Sequence, residues 1–270
     1  MRDARFPVLV DGVFQPAEAG AISTGAFGVF DTLLAEDGVR WFEDRHLARL
    51  RAACEHFAIP VYQRVDVAAE IARYGAEIGP QPALIRTCAS LDPRSGAPTL
   101  VVRARSPRTV PDAGVDLDLV AAQPDPSGSW KTTNRLARDL HVARAERAGC
   151  FDALLGLPGG AVVEAARANL FAVVDGVVCT PPRSAGVLPG IVRGLLLEHL
   201  PGASEADLDV TTLRRASEVW ITSSGLRVAP VRAIRGLRDD LPGPGGPAVH
   251  AARAELRRCE ADYRDRTAVG

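Results

Sequence analysis

Lys131 is the only lysine in a chain of 270 residues whose 32 basic residues include 31 arginines. A lysine amine can lose its proton and attack a carbonyl; a guanidinium stays charged and cannot. One lysine kept amid so many arginines marks a position where an amine is needed, unless a compositional bias spared it by chance on a solvated surface. Four other features offer partner chemistry. Gly190 stands at the mouth of a predicted helix, where free backbone N–H groups favour an anion. Ser223-Ser224-Gly225 follows a buried-looking strand and offers hydroxyls and N–H groups to phosphate, or simply makes a turn. Arg49 carries a fork suited to phosphate. Glu164 ends an apolar strand, where a carboxylate is costly to bury without a cationic or protonated partner. Each has an ordinary structural explanation alone. Together, one aldehyde-reactive amine, three anion-binding elements and one carboxylate match the needs of pyridoxal 5'-phosphate (PLP): a Schiff-base lysine, a phosphate cup and an acid partner for the pyridine nitrogen.

The elements that must position these groups are legible in outline. Residues 7–15 read as a hairpin around Asp11-Gly12, and 29–42 as a second hairpin around Asp37-Gly38. A helix is predicted over 44–57, with Asp44 as N-cap, an apolar stripe of Leu47, Leu50, Cys54 and Phe57, and Arg49 beside it. Another covers 66–78, with Val67, Ile71 and Tyr74 inward. Leu84–Ser90 and Thr99–Ala104 read as paired strands around the turn-rich 92–96. Residues 105–114 have linker composition. Past them come a strand at 115–121 and a helix that the lysine stretch opens and that runs to about Ala148, with Leu136, Leu140, Ala143 and Arg147 at helical spacing. Strands follow at 152–157, 161–164, 170–174, 177–180 and 218–222. Helices are expected from Leu188-Pro189-Gly190 to His199 and over 248–263. The fold class is therefore α+β in two domains, 1–108 and 109–270.

Composition narrows the function classes. The net charge of −1 gives no global attraction to nucleic acid or an anionic membrane. No apolar run reaches the length of a membrane span, and no charged-then-apolar leader opens the chain. Five scattered cysteines without a C-x-x-C predict reduced thiols and a cytoplasmic protein. The histidines show no metal-ligand spacing, so no metal is expected.

The ordered motifs resemble those of the class-IV aminotransferases, the fold-type-IV PLP enzymes. They are Phe30-Asp31-Thr32-Leu33, His46-Leu47-Ala48-Arg49-Leu50, Lys131-Thr132-Thr133-Asn134-Arg135-Leu136, Glu164 through Asn169-Leu170-Phe171, Thr180-Pro181-Pro182, Gly186 through Arg193, and Glu218 through Ser224 and Pro230-Val231. The resemblance implies a small α+β domain, a larger barrel-like α/β domain, and a homodimer with the cofactor between the domains. It implies that Lys131 forms the Schiff base and moves the substrate α-proton. Glu164 pairs with the pyridine nitrogen. Arg49, Ile191, Val192 and Ser224 hold the phosphate. Within the family, Asn134-Arg135-Leu136 in place of Gly-Asn-Tyr, together with Thr32, is most similar to aminodeoxychorismate lyase. The leading expectation is thus a lyase that releases 4-aminobenzoate and pyruvate from aminodeoxychorismate, with Thr32 assisting proton transfer. The alternative is an aminotransferase acting on branched-chain, D- or other amino acids. A third reading, a non-catalytic ligand-binding descendant, would not require a deprotonatable amine. Three departures stand out: Gly25-Ala26-Phe27-Gly28 before Phe30, Ala165-Ala166 after Glu164, and Val192 where the family has threonine.

Overall fold

The structure, a computed structural model, describes residues 6–15, 27–92 and 95–268. The unusual Gly25-Ala26 pair and the Pro93-Arg94 turn lie outside these. The chain divides into two compact units, Met1–Arg108 with Trp130–Asn134, and Thr109–Ser129 with Arg135–Gly270.

The first unit is one antiparallel sheet covered on one face by two helices. In chain order it runs β1 (Val8–Val10), β2 (Val13–Gln15), β3 (Gly28–Glu36), β4 (Val39–Arg40), α1 (Glu43–His56), α2 (Val67–Ile78), β5 (Ala83–Leu91) and β6 (Pro98–Arg105). Its strand order is β2-β1-β6-β5-β3-β4. Side chains alternate across a strand. Leu9, Val29, Leu33, Ile85, Ala89, Leu100 and Val102 therefore turn to a core that also takes Leu50, Ala53 and Cys54 from α1 and Val67, Ile71 and Tyr74 from α2. Asp66 caps α2 by accepting from Ala69 N–H at 3.1 Å. Asp44 does not cap α1: the helix starts one residue earlier, and the N-cap is Phe42, in the left-handed region at φ 54° with no side-chain cap. The acidic pair Glu43-Asp44 instead occupies the first turn, where the helix dipole favours it.

The second unit is built on a closed barrel. Its elements are β7 (Val115–Ala121), α3 (Leu136–Arg147), β8 (Asp152–Gly156), β9 (Val162–Ala165), β10 (Asn169–Val174), β11 (Val177–Thr180), α4 (Ile191–His199), β12 (Ser204–Glu205), α5 (Val210–Arg215), β13 (Glu218–Ser223), β14 (Arg227–Arg235) and α6 (Pro247–Ala268). The sheet order β12-β11-β10-β13-β14-β7-β8-β9 returns to β10 through the pair Asn169↔Glu164, so six strands close on themselves. Leu117, Leu154, Val162, Leu170, Ala172, Val219, Ile221, Ala229 and Val231 fill the core. Glu218 at the start of β13 receives the N–H groups of Ala248 and Val249 at 3.0 and 2.9 Å and so caps α6. A Cβ at Gly246 would overlap that carboxylate, which explains the glycine there.

Two further sequence expectations change. The lysine stretch does not open a helix: α3 begins at Leu136, and Thr132 forms an antiparallel bridge to Val29. Nor are Leu136 and Leu140 the inward stripe of α3. They are 70% and 59% exposed, while Val142 and Ala145 are buried. The helical period was read correctly but its phase was not.

Candidate active site

In the first unit, Lys131 lies on an added edge of β3. Phe30 N–H donates to the Lys131 carbonyl, and Thr133 N–H to the Gly28 carbonyl, each at 2.8 Å. The preceding ring fixes the strand: Trp130 stacks on His56 at 4.5 Å and meets Phe57 edge-on at 5.9 Å. The Lys131 amine stands over the Phe30 ring, 5.2 Å from its centroid. Arg86, across from Thr32 in the β3–β5 register, lies over the same ring at 3.5 Å. Thr32 is two residues beyond Phe30 and shares its face of the sheet.

On the opposite face of β3, Asp31 anchors a buried polar cluster. Its Oδ2 accepts from Arg49 Nε at 2.7 Å, and its Oδ1 from Arg49 Nη2 at 2.9 Å. His46 Nδ1 lies 2.6 Å from Oδ1. Burial pushes the Asp31 carboxyl up, but Arg49 and His46 outweigh it and hold it well below the usual carboxylate range. Burial lowers His46 from its ordinary value, against the pull of Asp31. A carboxylate only accepts, so Nδ1 carries the proton and donates. Arg49 is therefore no surface arginine: Asp31 holds its Nε and Nη2, and any anion it binds shares the guanidinium with that carboxylate.

In the second unit, Glu164 is 2% exposed. Its Oε2 accepts from Asn169 Nδ2 at 3.0 Å and from Leu188 N–H at 3.2 Å, and Arg138 Nη2 lies 2.8 Å from Oε1. Asn169 also donates to the Leu188 carbonyl at 2.9 Å, clamping the loop before α4. A Cβ on Gly190 would overlap the Asn169 side chain, so glycine is required there for room. No side chain caps α4. The N–H groups of Ile191 and Val192 thus open its first turn as an anion site. Val192 in place of threonine removes a hydroxyl but no N–H. Ser224 sits half-buried in the β13–β14 turn. Thr222, opposite Asn169 in the register, buries an Oγ1 that has no hydrogen-bond partner among the described residues. A buried carboxylate, an uncapped helix start and an orphaned hydroxyl within one barrel rim fit a PLP ring and phosphate.

Sequence reasoning assigned no role to Asp31, His46, Asn169 or Arg138. The first three lie inside the quoted motifs; Arg138 is one arginine among 31 and had no signal. Two further arginines already have carboxylate partners: Arg227 lies 2.6 Å from Glu260 and Arg135 3.4 Å from Asp139. Among the described residues, the structure also gathers one set of metal-type donors that spacing did not reveal. His199, Glu255 and Cys259 place donor atoms within 4.8 Å of one another, with Glu255 already paired to Arg258 at 2.6 Å. No helix among the described residues is long and apolar enough to cross a membrane.

Comparison with known proteins gives a consistent picture. A relative from Thermotoga maritima named "Probable branched-chain-amino-acid aminotransferase" is 29% identical over 229 residues, 80% of this chain and 81% of that one. An aminodeoxychorismate lyase of Vibrio harveyi is 32% identical over 130 residues, 47% of this chain and 48% of that one. The crystal structure of the Escherichia coli branched-chain amino acid aminotransferase superposes with a TM-score of 0.79 at 23% identity, covering 92% of both chains. It shares the two-part α+β fold with the six-stranded barrel. A family model described as "Amino-transferase class IV" matches residues 28–234, and the chain belongs to that family of PLP-dependent enzymes.

Proposed function

We propose that this enzyme is an aminotransferase that moves the amine of an apolar, branched-chain-type amino acid to a 2-oxo acid. The observation that carries this is the extent of similarity. Branched-chain aminotransferases match over most of the chain, whereas the lyase matches over less than half. This reverses the order expected from Asn134-Arg135-Leu136 and Thr32.

Lys131 supplies the amine that holds the cofactor and then moves the proton at the substrate α-carbon. PLP, when bound, supplies the electron sink that makes that proton removable. Glu164 would accept from a protonated pyridine nitrogen, and the Ile191 and Val192 N–H groups, Arg49 and Ser224 would be the groups for the phosphate. Arg86, beside Lys131 on the Phe30 ring, is placed to receive a substrate carboxylate through its fork. Thr32 beside Phe30 keeps the lyase as a second reading, since its hydroxyl shares the face that carries Lys131 and Arg86. The exposed Leu136 and Leu140, one turn apart on α3, support a homodimer. The five free cysteines support a reducing, cytoplasmic setting.

The test is a paired assay. Amino transfer from leucine, isoleucine or valine to 2-oxoglutarate is expected, without pyruvate release from aminodeoxychorismate. Pyruvate release without transfer would restore the lyase. Lys131→Ala is expected to abolish both the yellow, reducible cofactor linkage and turnover.

A further inference from the structure

Arg138 belongs to none of the motifs, yet its guanidinium lies against the most deeply buried carboxylate of the candidate site. It leaves α3 with its side chain only 18% exposed and places Nη2 2.8 Å from Glu164 Oε1. Its Nε faces Asp125 Oδ2 at 3.8 Å, so the guanidinium is steadied from the solvent side as well. The other oxygen, Oε2, is held by Asn169 and the Leu188 N–H. Within this unit one oxygen is thus hydrogen-bonded, while the other lies against the Arg138 charge without a well-aligned hydrogen bond.

A carboxylate taken out of water is stable only with a cation or a full set of donors. Without cofactor, Arg138 supplies that cation. With cofactor, a protonated pyridine nitrogen would be a second cation on the same carboxylate, and two like charges around one anion oppose each other. We infer that Arg138 is a positioning residue for Glu164: it keeps the carboxylate oriented in the empty enzyme and moderates its grip on the cofactor's ring nitrogen in the loaded one. This rests on reading Glu164 as the pyridine partner. It sets Arg138 apart from an ordinary structural ion pair, whose loss would lower stability equally with and without cofactor.

The experiment compares thermal unfolding of the full chain, empty and saturated with PLP, in the parent, R138M, R138K, E164Q and R138M/E164Q. Empty R138M is expected to unfold earlier than the parent. PLP is expected to raise its midpoint by more than it raises the parent's, by about 2–4 °C for each kcal/mol regained, because the pyridinium replaces the missing cation without competition. R138K keeps a charge and should keep the parent's increment. R138M/E164Q should lose the extra increment, giving a non-additive cycle. If R138M does not fold, R138Q, which removes the charge but stays polar, is read in the same way. Equal PLP increments in the parent and R138M would overturn the inference and leave the functional reading intact. A parent that binds no PLP would instead overturn the reading of Glu164 on which it rests.

Discussion

At the scale of single residues, the site is held by carboxylates rather than by the groups that do the chemistry. Asp31 fixes Arg49 and His46, and Glu164 is fixed by Asn169, Leu188 and Arg138. Both shifted groups of the Asp31 cluster make acid unfavourable. The lowered Asp31 contributes stability that is complete above the ordinary carboxyl value of 3.8 and is lost as pH falls towards its folded value. The lowered His46 contributes stability present above its ordinary value of 6.5 and lost on acidification. Asp31→Asn leaves a buried guanidinium short of its counter-ion and should cost about 3–5 kcal/mol at neutral pH. In urea unfolding the gap between variant and parent should narrow steadily below pH 3.8, as Asp31 of the unfolded parent takes up a proton that the folded carboxylate resists. A gap that stays constant with pH would show that the carboxylate is not the anchor. Lys131 and Glu164 were legible in the sequence because each breaks a local rule, one by rarity and one by a charge in an apolar strand. Asp31, His46 and Asn169 break none. Their importance comes from partners 15 and 18 residues away for Asp31, and 19 for Asn169, distances that only a folded chain closes.

At the scale of elements, hydrophobic period and turn chemistry located most strands and helices, including the Asp11-Gly12, Asp37-Gly38 and Asp175-Gly176 hairpins. What they missed has separate causes. Lys131 to Asn134 lacks a strand's apolar alternation because its partner is one edge of β3, reached through backbone bonds, and backbone bonds leave no side-chain signature. β14 went unassigned because its alternation is interrupted: Pro230 stands inside it and its register with β7 shifts between Val231 and Ala233. The start of α6 is set by a residue nearly thirty positions earlier. Glu218→Ala should remove both carboxylate bonds to its first turn and cost about 1–2 kcal/mol, read as a lower urea midpoint at unchanged slope. A variant as stable as the parent would show that α6 is capped by other means.

For the whole molecule, the observed phase of α3 carries the consequence. The same helix that buries Val142 and Ala145 turns Leu136 and Leu140 to solvent, a cost a lone chain gains nothing from. Leu140→Glu should convert a dimer to a monomer in light scattering at micromolar concentration, with the fold retained because the position is 59% exposed. A parent that is monomeric under those conditions would remove the homodimer from the functional proposal.

The closed barrel of the second unit has two very different joints. Glu164 and Asn169 lie only five positions apart and pair across a tight corner, so their pairing asks for little loop-closure entropy. The parallel joint between β7 and β14 unites Val115–Asp118 with Val231–Arg235 and must gather more than a hundred residues first. Topology of that kind slows folding. The Asn169 bond to Glu164 can therefore form locally and early, while completion of the ring around it waits for the last long-range strand to arrive.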